Sequence, residues 1–183
     1  DEGVEPSVLR SWRGADVPTA REYEAEFAAT GKNLVDIYAM ESNYDDTNAR
    51  AAAGKLRVAT SGEGGTWRGA HTKPFLVYEG VTYTLSATLE SYASGYARVG
   101  LRERESRTFV SGMSVVFGTS PGTLSVTFTP AATMNVFLSA LCTSDTVLIG
   151  DCKFADIQLE ISGSGTAYAE YEAAGFLSLD NED

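Results

Sequence analysis

A chain of 183 residues, 43% of them hydrophobic and 10% aromatic, can bury one domain-sized core and does not have the composition of a disordered segment. Its formal charge of −11 repels nucleic-acid phosphates and anionic membrane surfaces, and favours a soluble module that associates weakly with itself. No apolar run reaches membrane-spanning length, and no signal-peptide pattern stands at the N-terminus.

The first residue is Asp1, which suggests a fragment or a processed chain. Residues 1–17 lack periodicity, and Trp12, flanked by Arg10, Arg13 and Gly14, suggests a loop or a short edge strand. Thr19-x-x-Glu22 has the form of a capping box. With Tyr23 and Phe27 sharing a face and Gly31 closing the end, a helix over 19–30 is one expectation. A rival comes from an echo: Glu22-Tyr23-Glu24-Ala25 recurs as Glu170-Tyr171-Glu172-Ala173, each after a Thr-Ala pair. On that view the flank ends one module and the tail begins another. We divide the chain into an N-terminal flank (1–30), a module (31–172) and a tail (173–183).

Asp36 to Thr66 is polar and rich in Gly and Ala, and reads as a long loop with one strand near Leu56 to Ala59. Asn43-Tyr44-Asp45-Asp46 offers oxygens of the kind calcium takes, but without EF-hand spacing, so a solvated loop is expected. Trp67, beside Gly65 and Gly69, is either a loop platform or a cap on the core. Regular strand signals follow. Val81, Tyr83, Leu85, Ala87 and Leu89 form one apolar face; Ala97, Val99 and Leu101 form a second. Met113 to Phe117 is a short apolar run. Leu124, Val126 and Phe128, then Met134, Val136, Leu138 and Ala140, continue the series.

Turn residues such as Ser94-Gly95 and Ser120-Pro121-Gly122 separate these runs, and no helical pattern intervenes. The expected fold is all-β: an antiparallel two-sheet β-sandwich of jelly-roll, galactose-binding-like form. Cys142 and Cys152 straddle Thr143 to Asp151, which reads as a hairpin connection. They either face each other as a disulfide candidate or are unrelated small residues. The module is then organised around Lys153 to Glu172. Ala155, Ile157, Leu159 and Ile161 alternate with Phe154, Asp156, Gln158 and Glu160, the mark of a half-buried strand. Ser162 to Gly165 breaks it, and Thr166, Tyr168 and Tyr171-Glu172 follow.

That order resembles the closing strand of the carbohydrate-binding-module-like β-sandwiches carried on phage and prophage tail proteins. Val77-Tyr78-Glu79-Gly80-Val81-Thr82-Tyr83-Thr84-Leu85-Ser86 resembles the turn-Gly-x-x-Tyr-x-x-Ser strand entry of those modules, and Gly31-Lys32-Asn33-Leu34-Val35 their opening strand. The resemblance implies non-catalytic recognition of a host surface glycan, with other modules of the same tail protein as partners and self-association in the fibre left open. The location it implies is the virion tail or the extracellular space. It also raises a structural calcium near Asp156. The rival expectations are a structural spacer or decoration domain without a sugar site, and an ancillary binding domain of a secreted glycoside hydrolase.

The residues themselves carry no catalytic signature. His71 is the single histidine, with neither a Gly-x-Ser-x-Gly elbow nor a Cys/His motif around it. Gly62-Glu63-Gly64-Gly65 is too short and too acidic to cradle phosphate. We therefore expect no enzyme, no cofactor and no catalytic metal. A sugar site pairs an aromatic platform with lateral hydrogen-bonding groups. The candidates are Trp67, Tyr92, Tyr96, Arg98 and Arg102, whereas Tyr83 belongs to the core. Tyr96, Arg98 and Arg102 share the polar face of one strand, with Tyr92 in the turn before it. The rival for Arg102-Glu103-Arg104-Glu105 is a charged edge that blocks aggregation.

Overall fold

The computed structural model describes residues 33–45, 47–60 and 65–171. The N-terminal flank with its capping box and the first copy of the echo, Glu172-Ala173 of the second copy, and the tail lie outside the described residues. In chain order come a 3₁₀ turn (Ile37–Ala39), β1 (Glu41–Ser42), β2 (Thr47–Ala52), β3 (Lys55–Thr60), β4 (Gly69–His71) and β5 (Phe75–Val77). The longer strands follow: β6 (Tyr83–Ser94), β7 (Ala97–Glu103), β8 (Phe109–Gly118), β9 (Gly122–Phe128), β10 (Met134–Leu141) and β11 (Asp151–Ile161). One sheet has the order β1-β4-β10-β7-β8, with β5 also paired to β10; the other has β2-β3-β11-β6-β9. The fold is all-β, two antiparallel sheets packed face to face, as the alternation predicts.

Period-two patterning accounts for the core. Tyr83, Leu85, Ala87 and Leu89 of β6 and Ala97, Val99 and Leu101 of β7 are buried on facing sides. Tyr83 is fully enclosed, stacks on Phe128 at 5.5 Å between centroids, and accepts a hydrogen bond from Tyr78 N at its hydroxyl. Phe154 of β11 reaches across the sandwich to Phe117 of β8, with centroids 6.3 Å apart. Cross-strand hydroxyl pairs, Thr84–Thr127 and Thr88–Thr123 at 2.9 Å, line the outer face of β6 and β9, where Thr84 is itself buried.

The structure departs from the sequence expectation in four places. Residues 47–60 form a β-hairpin, not a loop with a single strand. Its turn residues Ala53 and Gly54 take φ of 50° and 72°, the doubly left-handed geometry of a tight hairpin. The inward residues of β2 are Thr47, Ala49 and Ala51, too small and polar to register as a buried strand. In β9, Leu124 is 41% exposed, because this edge strand is buried only at its Phe128 end.

The third departure concerns β11. A bulge between Ala155 and Gln158, with Asp156 at φ 52°, reverses the alternation partway along the strand. Cys152 and Phe154 therefore join Ile157 and Leu159 in the core. The strand is also not half-buried: its other face is covered by residues 162–171. There Glu160, 2% exposed, accepts from Thr166 N (2.8 Å), Thr166 Oγ1 (2.7 Å) and Gln158 Nε2 (3.0 Å). Gln158 Oε1 accepts from Ala169 N at 2.7 Å. Buried polar groups are thus satisfied by the chain that follows the strand.

The fourth is the cysteine pair. Cys142 follows β10 in one sheet and Cys152 stands in β11 of the other, so residues 143–150 cross between sheets and form no hairpin. Neither cysteine is in a disulfide; both thiols are buried, donating to Arg68 O (3.6 Å) and Ser94 O (3.7 Å) respectively. Burial, then Cys142 and Asp151, push the Cys152 thiol up to about 12 from its ordinary 9.0. Folding thus favours the neutral thiol. Its stabilising contribution is complete below the unfolded value and is lost as pH rises from there through about 12. We expect neither thiol to react with a thiol-modifying disulfide reagent in the folded protein at neutral pH, and both to react at once in denaturant. Stoichiometric labelling before unfolding would show that this end of the core opens.

Candidate functional site

The outer face of the sheet β1-β4-β10-β7-β8 gathers the side chains that the core does not take. Because Val99, Leu101, Val136, Leu138 and Ala140 point inward, the intervening residues of β7 and β10 point to the outer face of the sheet, where Arg98 and Arg102 are half-buried and Phe137 and Ser139 are buried. Register then sets them in rows. Phe109, Arg102 and Phe137 are direct neighbours across β8, β7 and β10. The next row is Ser114, Gly100, Ser139, His71 and Glu41, from β8 across to β1.

These rows form a continuous band. The Arg98 guanidinium lies over the Phe109 ring at 3.5 Å and donates to Ser114 Oγ at 2.8 Å. Arg102 stands 5.4 Å from the Phe109 centroid and 5.7 Å from that of Phe137. Trp67 is tilted against Phe109 at 6.0 Å, and His71 meets Phe137 edge-on at 5.7 Å. Gly100 makes room: a Cβ there would fall 2.3 Å from Ser114 Cβ and 3.0 Å from Phe109 Cε1. Beside the band lies an open groove of about 450 Å³ whose lining includes Tyr44, His71, Lys73, Arg102, Arg107 and Phe137.

The electrostatics follow from partial burial. Loss of solvation pulls the Arg98 and Arg102 guanidinium groups down from their ordinary value. Arg102 is raised by Tyr44 and lowered further by Arg107 and Arg98. Both remain cationic, as guanidinium groups in proteins do. Burial also lowers His71, against Glu41 and with Arg107 and Arg102, so its imidazole is neutral near neutral pH. His71 Nδ1, Arg98 Nε and Asn135 Oδ1 are buried atoms without a hydrogen-bond partner among the described residues. All three belong to outward-facing positions of this sheet or its immediate flank. Trp67 and Arg107, both beside this face, hold φ of 57° and 55°, a region bulky side chains rarely enter. Backbone outliers of this kind collect at functional sites.

The sequence candidates divide here. Arg98, Arg102 and Trp67 lie on this face, with Tyr96 just before β7, half-buried and acting electrostatically on Arg98. Tyr92 is not part of it. A bulge at Glu90 turns Tyr92 inward in the opposite sheet, where it packs against the core and its hydroxyl donates to Gly95 O at 3.1 Å. The charged-edge expectation for Arg102 to Glu105 also fails, since β7 lies between β10 and β8. Sequence reasoning missed Phe109, Phe137 and His71. Phe137 carried a signal, an aromatic at the polar parity of β10. Among the described residues, no group of three or more His, Cys, Asp or Glu is placed to hold a metal. Asn43 of the acidic loop instead ties two segments together, donating to Trp67 O and accepting from Gly69 N.

Fold and site together define a two-sheet β-sandwich with an aromatic and cationic groove on one outer sheet face. No protein-family model and no curated protein matches the chain. Among solved structures it is similar to a carbohydrate-binding module CBM4, at 19% identity and a TM-score of 0.49, over 66% of this chain and 82% of that one. It is also similar to the N-terminal cellulose-binding domain of Cellulomonas fimi β-1,4-glucanase C (18%, TM-score 0.47, over 64% and 84%). A third is the CBM22-1 xylan-binding domain of Paenibacillus barcinonensis Xyn10C (10%, TM-score 0.45, over 75% and 92%). These likenesses concern the course of the chain through the sandwich.

Proposed function

We propose that the chain is a non-catalytic glycan-binding module whose site is the outer face of the sheet β1-β4-β10-β7-β8. The observation that carries this is the band Trp67, Phe109, Arg98, Arg102, Phe137 and His71, which sets aromatic rings beside hydrogen-bond donors on a half-buried outer sheet face. Sugar rings stack their C–H faces on aromatic side chains and present hydroxyls to groups at the sides. Tyr96 extends the band at the Arg98 end. The resemblance in the closing strand supports a finer version, in which the module sits on a phage or prophage tail protein and meets host surface glycans. One weak site would then gain useful affinity from multivalency in the fibre.

The test is retention of the whole chain on a panel of immobilised glycans. Phe109→Ala is expected to weaken retention about tenfold or more, because it removes the ring on which Arg98 and Trp67 converge. Tyr96→Ala is expected to weaken it less. Retention of no glycan by the unaltered chain would leave a structural spacer as the function. Retention unchanged in Phe109→Ala would move the site elsewhere.

A further inference from the structure

The groove beside the band is strongly cationic on a chain of net charge −11. Lys73, Arg102, Arg104 and Arg107 line it against one carboxylate, that of Glu41. Glu103 alternates with Arg102 and accepts a hydrogen bond from Ser106 Oγ. The ion pairs among the described residues lie on the opposite sheet, where Lys55 and Lys153 both meet Glu90 and Arg57 meets Asp151. None of the four cations of the groove has such a partner among the described residues.

The hydrogen-bonding inventory points the same way. Arginine and lysine side chains donate and never accept, whereas a neutral sugar hydroxyl is best held by a site offering both. Acceptors are few in the groove. Asn43 is already engaged by Trp67 and Gly69, and Thr72 Oγ1 by Leu138 N, which leaves Glu41, Ser139, the Tyr44 hydroxyl and the neutral His71 imidazole against four cationic donor groups. A ligand that fits must bring acceptors and negative charge. Guanidinium forks match the two coplanar oxygens of a carboxylate, and the rings of Phe137 and Phe109 lie within stacking reach of one of these cations, Arg102.

We infer, resting on the glycan-binding reading above, that the groove takes an acidic glycan whose sugar rings carry carboxylates. Lys73, Arg104 and Arg107 supply charge at its rim, and Arg102 lies between the rings.

The experiment is affinity electrophoresis of the whole chain through gels containing polygalacturonate, alginate or hyaluronan. The controls are the methyl ester of each polymer, a neutral β-glucan and dextran sulfate. Retardation by at least one polyuronate is expected, and its methyl ester should lose it, since esterification keeps the rings and removes the charge. Raising salt from about 0.1 M to about 1 M, where the screening length falls from about 10 Å to about 3 Å, should weaken it. The exposed triple variant Lys73→Gln/Arg104→Gln/Arg107→Gln should melt like the parent and bind about tenfold more weakly or worse. Equal retardation by a polyuronate and its ester, or by the neutral glucan alone, would overturn the inference and leave glycan binding standing. Dextran sulfate retarding the chain as strongly as every polyuronate would overturn the assignment to carboxylates. Failure with all polymers would overturn both this inference and the reading on which it rests.

Discussion

Replacing Asn33 by Ala is expected to lower the melting temperature by about 6–12 °C, although Asn33 belongs to no strand. β3 pairs with β11 only from Asp151 to Ala155, and the bulge that follows leaves the next part of β11 without a strand on that side. The Asn33 amide takes the place of a missing peptide group. Its Nδ2 donates to Ile157 O (3.0 Å) and Ala169 O (3.1 Å), while Oδ1 accepts from Leu159 N (3.2 Å) and Val35 N (3.0 Å). Leu34 N then donates to Leu159 O at 2.8 Å, completing the pairing. Asn33 is 1% exposed, so water does not reach the groups that Ala would strand. A buried polar group left unsatisfied costs about 1–3 kcal/mol, and several are involved, so a loss of at least about 3 kcal/mol is expected. Thermal unfolding followed by circular dichroism reads the shift, and hydrogen exchange should show the Leu159 amide losing protection. A shift below about 2 °C would mean that the segment after β11 is held by something other than this side chain.

Phe154→Ala is expected to cost about 3–5 kcal/mol, a large part of the stability of an ordinary domain. Phe154 is 0% exposed, stands between Leu56 and Leu89 in register on the inner face of its sheet, and meets Phe117 of the other sheet. Its removal leaves a cavity at the junction of the two layers, and the central strand of a sheet cannot move in to fill it without disturbing both neighbours. Denaturant titration measures the loss, and Phe154→Leu should cost less because it keeps more of the buried volume. A cost below about 1 kcal/mol would show that the sheets close over the gap.

The two substitutions mark different degrees of legibility. The strands β6 and β7 could be read directly, because a pleat forces alternate residues to opposite faces and their apolar residues recur strictly at period two. For the same reason Arg98 and Arg102 could be assigned to the face away from the core before any fold was known, though not their partial burial there. Phe154 could not be placed correctly. The alternation from Ala155 to Ile161 is real, but the bulge at Asp156 shifts parity, and a bulge depends on pairing with β6 rather than on local composition. The bulge at Glu90 misplaced Tyr92 in the same way.

The groove was less legible than the core. Phe109, Phe137 and His71 come from β8, β10 and β4, strands far apart in the chain that become neighbours only through inter-strand register. The cysteines show the same limit: their spacing fits a hairpin, yet the intervening segment crosses between sheets. By itself the sequence determined the class of fold and which residues of each regular strand face the core, since both follow from side-chain period and hydrophobic burial. Register, bulges and the order of strands were decided only by the tertiary structure, because they follow from hydrogen-bond pairing between segments that no local pattern relates.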